Sequence, residues 1–420
     1  MSVTILIFLI SLVVYAGYGL PGLAVLLADT VLAYCTGLLT KRFRFAMWIS
    51  VIANVAMLLF FKGQHLAGLT FAAPLGVSYF ALMLISYNVD VYRGKFEPET
   101  NLFRFATCVT YMPHLFMGPI EGYDTLAPNL FEKRRVSWDG ISGGAVRFTW
   151  GLFKKLVIAA RAGNIIAAIS ADPEKYCGGY ALVAMLLYSV QLYSDFSGGM
   201  DMVIGGSRIL GVTLSENFDV PFLSESFREF WRRWHMTLGS WLRSYVYIPL
   251  GGNRKGKFRK VLNTVVTFLV SGLWHGVNYL LWGFFNGIFV AVGDRLKTPS
   301  KILNRLGTFM LVSLLWCFYV WPETALALKM LLSVFTCFNY GELVGGIASM
   351  GLTAGDWIVF AIAVAMLMVY DFSREKLRTR FAAMAPWGRT AVCCLIVFMV
   401  LVFGMYGIGF NASEFIYSQF

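Results

Sequence analysis

An all-α polytopic membrane protein, with about eleven transmembrane helices and re-entrant or broken helices around a central cavity, is the fold class this sequence predicts. Three observations predict it. Of the 420 residues, 58% are hydrophobic and only 14% charged, and long apolar runs recur from end to end. Basic residues gather in short runs between them, as cytoplasmic loops do. Some apolar stretches are interrupted by proline, glycine and titratable groups, which membrane-embedded backbone tolerates only beside an enclosed cavity. The net charge of +12 reads as loops facing anionic lipid, not as a nucleic-acid surface. The seven cysteines show no C-x-x-C pair and read as buried small hydrophobes, neither metal ligands nor disulfide partners. No cleavable signal peptide is expected, because the first apolar segment lacks a basic start and reads as a retained span.

In chain order, residues 1–18 and 21–40 are two spans separated by Gly19-Leu20-Pro21, a tight turn. Lys41-Arg42-Phe43-Arg44 marks the cytoplasmic end. Residues 45–61 cross outward to a loop holding His65, read as a loop residue, and residues 71–91 return to Asp90–Lys95. Residues 104–120 carry Pro113, His114, Gly118 and Pro119 and reach the basic run Glu132–Arg135. That charge parity requires a re-entrant segment, with His114 hydrogen-bonded to freed backbone. Residues 143–170 hold Arg147, Lys154, Lys155 and Arg161 near their entrance. Residues 180–212 carry Asp195 and Asp201, two carboxylates that need partners in an apolar helix. Asp195 is expected to pair with a buried arginine or to cap a broken helix.

The stretch Phe227–Asn286 is the centre of the chain. It holds two of the four histidines, His235 and His275, among Trp and Arg. A helical wheel puts Phe227, Phe230, Trp234, Leu238, Trp241 and Tyr245 on one face, with His235 in the row of Arg228, Arg232, Gly239 and Leu242. Pro249, Gly251 and Gly252 end that helix, and Asn253–Lys260 is basic. Residues 261–273 rise to Trp274-His275-Gly276, and residues 278–296 descend. Residues 306–322 go out, 325–338 form an outer interfacial piece, 356–373 return to Arg374–Arg380, and 389–408 cross last. The count is eleven spans in a single integral-membrane domain over 1–420, without internal repeats.

An ordered series of motifs runs through the chain. It includes Pro74–Tyr79, Tyr87–Gly94, Gly118-Pro119-Ile120, Gly151–Lys155, Tyr193–Gly198 and Glu216-Asn217-Phe218. It continues with Glu229–His235, Tyr247–Arg254, Gly272–Gly276 and the terminal Phe415–Phe420. In these residues the chain resembles the membrane-bound O-acyltransferase family, and within it the bacterial alginate O-acetylase-like branch; the D-alanyl-transfer branch for teichoic acids is similar too. The resemblance implies His275 as the usual catalytic residue with His235 as its pair. Asn286 stands where that branch often has a further histidine, so no proton-transfer role is expected of it. The resemblance also implies a multi-pass protein of the bacterial cytoplasmic membrane. No bound cofactor is implied. The donor would be an acyl thioester, acetyl-CoA or an acyl carrier protein, and the acceptor an extracytoplasmic protein or glycan.

The residues support that chemistry independently. Transfer from a thioester to a hydroxyl needs a base for the hydroxyl proton, and histidine can serve as base and then as acid. A basic funnel of Lys154, Lys155, Arg232, Arg233, Arg254 and Lys255 would attract an anionic donor; Trp274, Asn253 and Asp195 are expected to support the site. A secondary transporter or flippase is the different-class alternative, since broken helices and buried carboxylates suit it as well.

Overall fold

The computed structural model describes residues 2–132, 135–293, 298–348 and 350–406. Lys133, Arg134, Arg295, Lys297 and the terminal Phe415–Phe420 motif lie outside the described residues. Every regular element among those described is helical.

Helices α1 (Ser2–Tyr18) and α2 (Leu20–Thr40) turn at Gly19, whose φ of 137° favours glycine, with Pro21 opening α2. Helices α3 (Ala46–Gly63) and α4 (Val77–Tyr92) pack against α2 through a polar knot. Asn88 donates to Ala33 O and Ser50 Oγ and accepts from Thr36 Oγ1 at 2.9 Å. Lipid offers no partners, so such groups must satisfy one another. The segment expected to be re-entrant is broken into α5 (Leu102–Val109) and α6 (Met112–Met117), followed by α7 (Tyr123–Phe131).

Helices α8 (Trp138–Phe153) and α9 (Ala160–Ser170) are joined by a π-helical turn, Lys154–Ala159, and lie against the long α10 (Gly179–Ile209). Two short helices follow, α11 (Phe227–Arg233) and α12 (Met236–Leu242). Then come the paired α13 (Gly256–His275) and α14 (Leu280–Val292). The chain finishes with α15 (Lys301–Leu315), α16 (Cys317–Val320), α17 (Thr324–Thr336), α18 (Leu343–Ala348), α19 (Ala354–Ala383) and α20 (Pro386–Phe403). Among the described residues, five helical stretches are long and apolar enough to cross a membrane: Leu20–Thr40, Ala46–Ala67, Lys301–Val320, Ala354–Ala383 and Pro386–Phe403.

Contacts tie down the segments around several of the basic runs. Lys41 pairs with Glu97, and Lys95 pairs with Asp90 and Asp124. Tyr245 donates to Asp90, Asn129 to Thr213 O, and Arg378 pairs with Glu216. Three sequence expectations are corrected. Cys177 and Cys337 are joined in a disulfide, because the turn before α10 and the end of α17 meet where Asn339 also bonds Gly179 N and Cys177 O. Asp195 pairs with Lys155 at 2.6 Å, not with an arginine or a helix end, because the π turn aims that lysine at α10. The helix drawn through Phe227–Tyr245 is broken at His235, whose φ is 45°.

The α13–α14 contact sets the position of His275. A Cβ on Gly272 would meet Tyr279 O at 2.5 Å, one on Gly287 would meet Val265 Cα at 2.8 Å, and one on Gly283 would run into Phe268 O. Small residues let the two backbones meet, as in other lipid-embedded pairs. Gly307 in α15, by contrast, has open space around it. Gly283→Ala should therefore destabilise the detergent-solubilised protein by roughly 1–3 kcal/mol through overpacking. Gly307→Ala should be neutral or stabilising by up to about 1 kcal/mol. Melting curves of the two variants against wild type check this pair of expectations.

Candidate active site

Ser226 caps α11 by accepting from Glu229 N, and the helix stops after two turns at Trp234. His235 then takes a left-handed conformation, φ 45° and ψ 54°, before α12 begins. A non-glycine residue there is strained by about 1–2 kcal/mol, so its surroundings must hold it. They do so by strand-like pairing with the loop after α10: Met236 N donates to Asn217 O at 3.0 Å, and Asp219 N to Arg233 O at 2.9 Å. The bend turns the histidine inward. His235 is buried, with Nδ1 3.2 Å from Asn217 Oδ1 and its ring edge-on to Phe196.

His275 is the last residue of α13, which ends because Gly276 adopts φ 149°. Its ring makes T-shaped contacts with Trp274, Tyr279, Trp282 and Tyr319, with centroids 4.7–6.4 Å away. Trp274 also lies 6.2 Å from the His235 ring, so it packs between the two histidines. Trp282 stacks on Trp316, and Tyr279 on Tyr319, which makes this wall rigid.

Two cavities meet here. The first, of about 190 Å³, is mostly apolar and lined by both histidines together with Arg228, Arg232, Thr267 and Ser271. The row read from the wheel, Arg228, Arg232, His235, Gly239 and Leu242, all lies on this cavity despite the break in the helix. The second, of about 440 Å³, is bounded by the α3–α4 connection, with Lys62, His65 and Pro74–Tyr79, and by His275–Tyr279. Among the described residues, His275 is the one common to both linings. His65, read as a loop residue, sits on the short turn Gln64–Ala67 and faces this second cavity. Lys62, Arg228 and Asn217 were not singled out for the site from the sequence. Only the wheel row pointed to Arg228, and only the motif Glu216-Asn217-Phe218 to Asn217.

The other expected site residues divide. Lys154 and Lys155 are buried and ion-paired: Lys154 bonds Asp201 and Ser197, both at 2.7 Å, and lines a small polar cavity with Arg147, Arg374 and Arg378, while Lys155 bonds Asp195. The cause is geometric, since the π turn aims both side chains at α10. Arg147 reinforces this layer with bonds to Asp201 and, bidentately, to Glu216. Burial opposes the charge on Glu216, but the Arg147 fork outweighs it and holds the carboxyl below its usual range. Arg233 pairs with Glu229 at 2.7 Å. Asn253 and Arg254 are exposed at the start of α13, about 30 Å from His275 by helical rise. Asn286 is buried and holds Trp231 Nε1 at 3.1 Å while donating to Trp282 O. His114 bonds Pro119 O through Nδ1, the freed backbone of the broken segment.

A pair of histidines beside an apolar cavity, with arginines among its lining, can bind an anionic chain and move a proton at its end. Comparison with known proteins agrees in class. The model of the membrane-bound O-acyltransferase family (MBOAT) matches residues 95–321. A protein of Pseudomonas syringae pv. tomato, described as a probable alginate O-acetylase, is 33% identical over 89% of this chain and 78% of its own length. The peptidoglycan O-acetyltransferase of Helicobacter pylori is 31% identical over 77% of this chain and 72% of its own. The teichoic acid D-alanyltransferase of Streptococcus thermophilus is 29% identical over 55% and 59%. The chain therefore belongs to the membrane-bound O-acyltransferase family and is an O-acyltransferase of the membrane.

Proposed function

We propose that this protein moves an acyl group, acetyl in the first instance, from a cytoplasmic thioester to a hydroxyl on the far side of the membrane, with His275 as general base. The observation that carries this reading is that His275 lines both cavities. Helices α3 and α4 run from flanking basic runs to the connection that bounds the second cavity. The first cavity carries Arg228 and Arg232. On this reading the basic runs are cytoplasmic, in keeping with the positive-inside pattern. The Cys177–Cys337 disulfide lies toward the other, oxidising side. The eleven spans, the single domain over 1–420 and a bacterial cytoplasmic membrane complete the proposal.

In the proposed step the thioester enters through the first cavity, its phosphates near Arg232, and the acceptor hydroxyl enters through the second. His275 takes the hydroxyl proton as the oxygen attacks the thioester carbon. The tetrahedral oxyanion collapses, the carbon–sulfur bond breaks, and the thiolate leaves with the proton returned by the imidazolium. His235 would assist this proton transfer or position the donor. The acceptor would be an extracytoplasmic glycan or a partner protein that passes the group on. Acetyl transfer is preferred over D-alanyl transfer because the O-acetylating relatives match more of the chain, 89% and 77% against 55%.

His275→Ala should lower single-turnover transfer by about a hundredfold to ten-thousandfold, the range for a general base, at unchanged expression and melting. Retention of more than about a tenth of the wild-type rate excludes His275 as the base. Arg232→Ala should raise the donor KM several-fold with little change in kcat, as loss of uniform binding does. Arg233→Ala, which loses an ion pair with Glu229, should leave the donor KM unchanged. Steady-state kinetics with varied thioester separate the two arginines.

A further inference from the structure

We infer that Asn217 is a positioning residue for acyl transfer: it holds His235 in its left-handed turn and sets which ring nitrogen carries the proton. The inference rests on the reading of His235 as a participant in transfer. Asn217 is 1% exposed and lies in the connection between α10 and α11. Its main-chain oxygen accepts from Met236 N at 3.0 Å. Its side-chain oxygen accepts from Thr237 N at 3.0 Å and from Thr237 Oγ1 at 2.9 Å, and faces His235 Nδ1 at 3.2 Å. Its amide nitrogen donates to Met200 Sδ.

The orientation of this amide follows from its partners. The backbone N–H of Thr237 can only donate, so the group facing it is the oxygen, and the nitrogen falls toward the sulfur. A carbonyl oxygen cannot donate. His235 Nδ1 must therefore carry a hydrogen, which leaves the lone pair of the neutral ring on Nε2. Nε2 is the ring nitrogen remote from Asn217, on a residue that lines the cavity shared with His275. The same network reaches the broken segment, because Ile120 N donates to Thr237 Oγ1 at 3.0 Å. Ring packing alone would not choose a tautomer: the T-shaped contacts with Phe196 and Trp274 fix the plane of the imidazole, not its proton. Backbone strain points the same way. Among the described residues the only other non-glycine with positive φ is Val220, in the same connection. Strain concentrated around one functional side chain is maintained where the surroundings over-determine it.

The chain has four histidines, so ¹⁵N-histidine spectra of the full-length protein in nanodiscs resolve the question, with His235→Gln assigning the signal. Wild type should show His235 with Nδ1 protonated and Nε2 bare. Asn217→Leu removes the acceptor and should shift His235 toward the Nε2-protonated form. It should also lower kcat by on the order of tenfold to a hundredfold, as misplacement of a reacting group does, at unchanged donor KM. Asn217→Asp keeps an acceptor oxygen and should retain the Nδ1-protonated ring and recover most of the lost rate. A wild-type His235 protonated on Nε2 overturns the inference. So does an unchanged nitrogen pattern in Asn217→Leu, or a lost one in Asn217→Asp. The nitrogen signature is read without turnover, so it stands or falls separately from the identity of the base.

Discussion

Backbone-to-backbone contact between α13 and α14 is the constraint on which the site depends. Gly272 and Gly283 remove the side chains that would hold the helices apart. The turn at Gly276 can then bring the end of α13 against Trp282 and, beyond it, Trp316 and Tyr319. In lipid no hydrophobic gain drives two apolar helices together, so close packing has to supply the specificity. A bulkier residue at this seam would displace the histidine that separates the two cavities. On the proposed reading of His275 as the base, whose rate depends on placement to within about an ångström, packing and catalysis are one problem.

Behind the histidines lies a layer of ion pairs: Lys154 and Arg147 with Asp201, Lys155 with Asp195, and Arg147 with Glu216. Buried pairs of this kind add little net stability, because desolvation offsets the Coulomb attraction, but they penalise any arrangement that separates the partners. They fix α8 and its π turn against α10. Glu216, held by Arg147, is adjacent to Asn217, which bonds the turn at His235. A stiff ionic layer thus supports a strained turn, and the turn presents the ring. Lys154 and Lys155 both belong to this layer.

Membrane class, the broken segment near residue 110 and the two central histidines were legible in the sequence. Each is a local property: an apolar run, a proline and glycine interruption, a titratable group where it needs a reason. The row of Arg228, Arg232 and His235 survived the helix break because a short interruption left its members on the same cavity wall. What was hidden depends on chain crossings far apart in sequence. The Lys155–Asp195 pair joins residues 40 apart, and the disulfide joins residues 160 apart. Spacing alone could not show that Asn217 would meet His235, or that His65 and Lys62 would face the same cavity as His275.

On the proposed reading, His275 meets both cavities and each cavity opens to a different side of the membrane. Sidedness of labelling at that position tests it most directly. The protein would carry His275→Cys, the free cysteines Cys35, Cys108, Cys317, Cys393 and Cys394 replaced, and the Cys177–Cys337 disulfide kept. In oriented vesicles a small membrane-impermeant methanethiosulfonate should modify position 275 when added from either face. Modification from one face only, or from neither, would contradict the account.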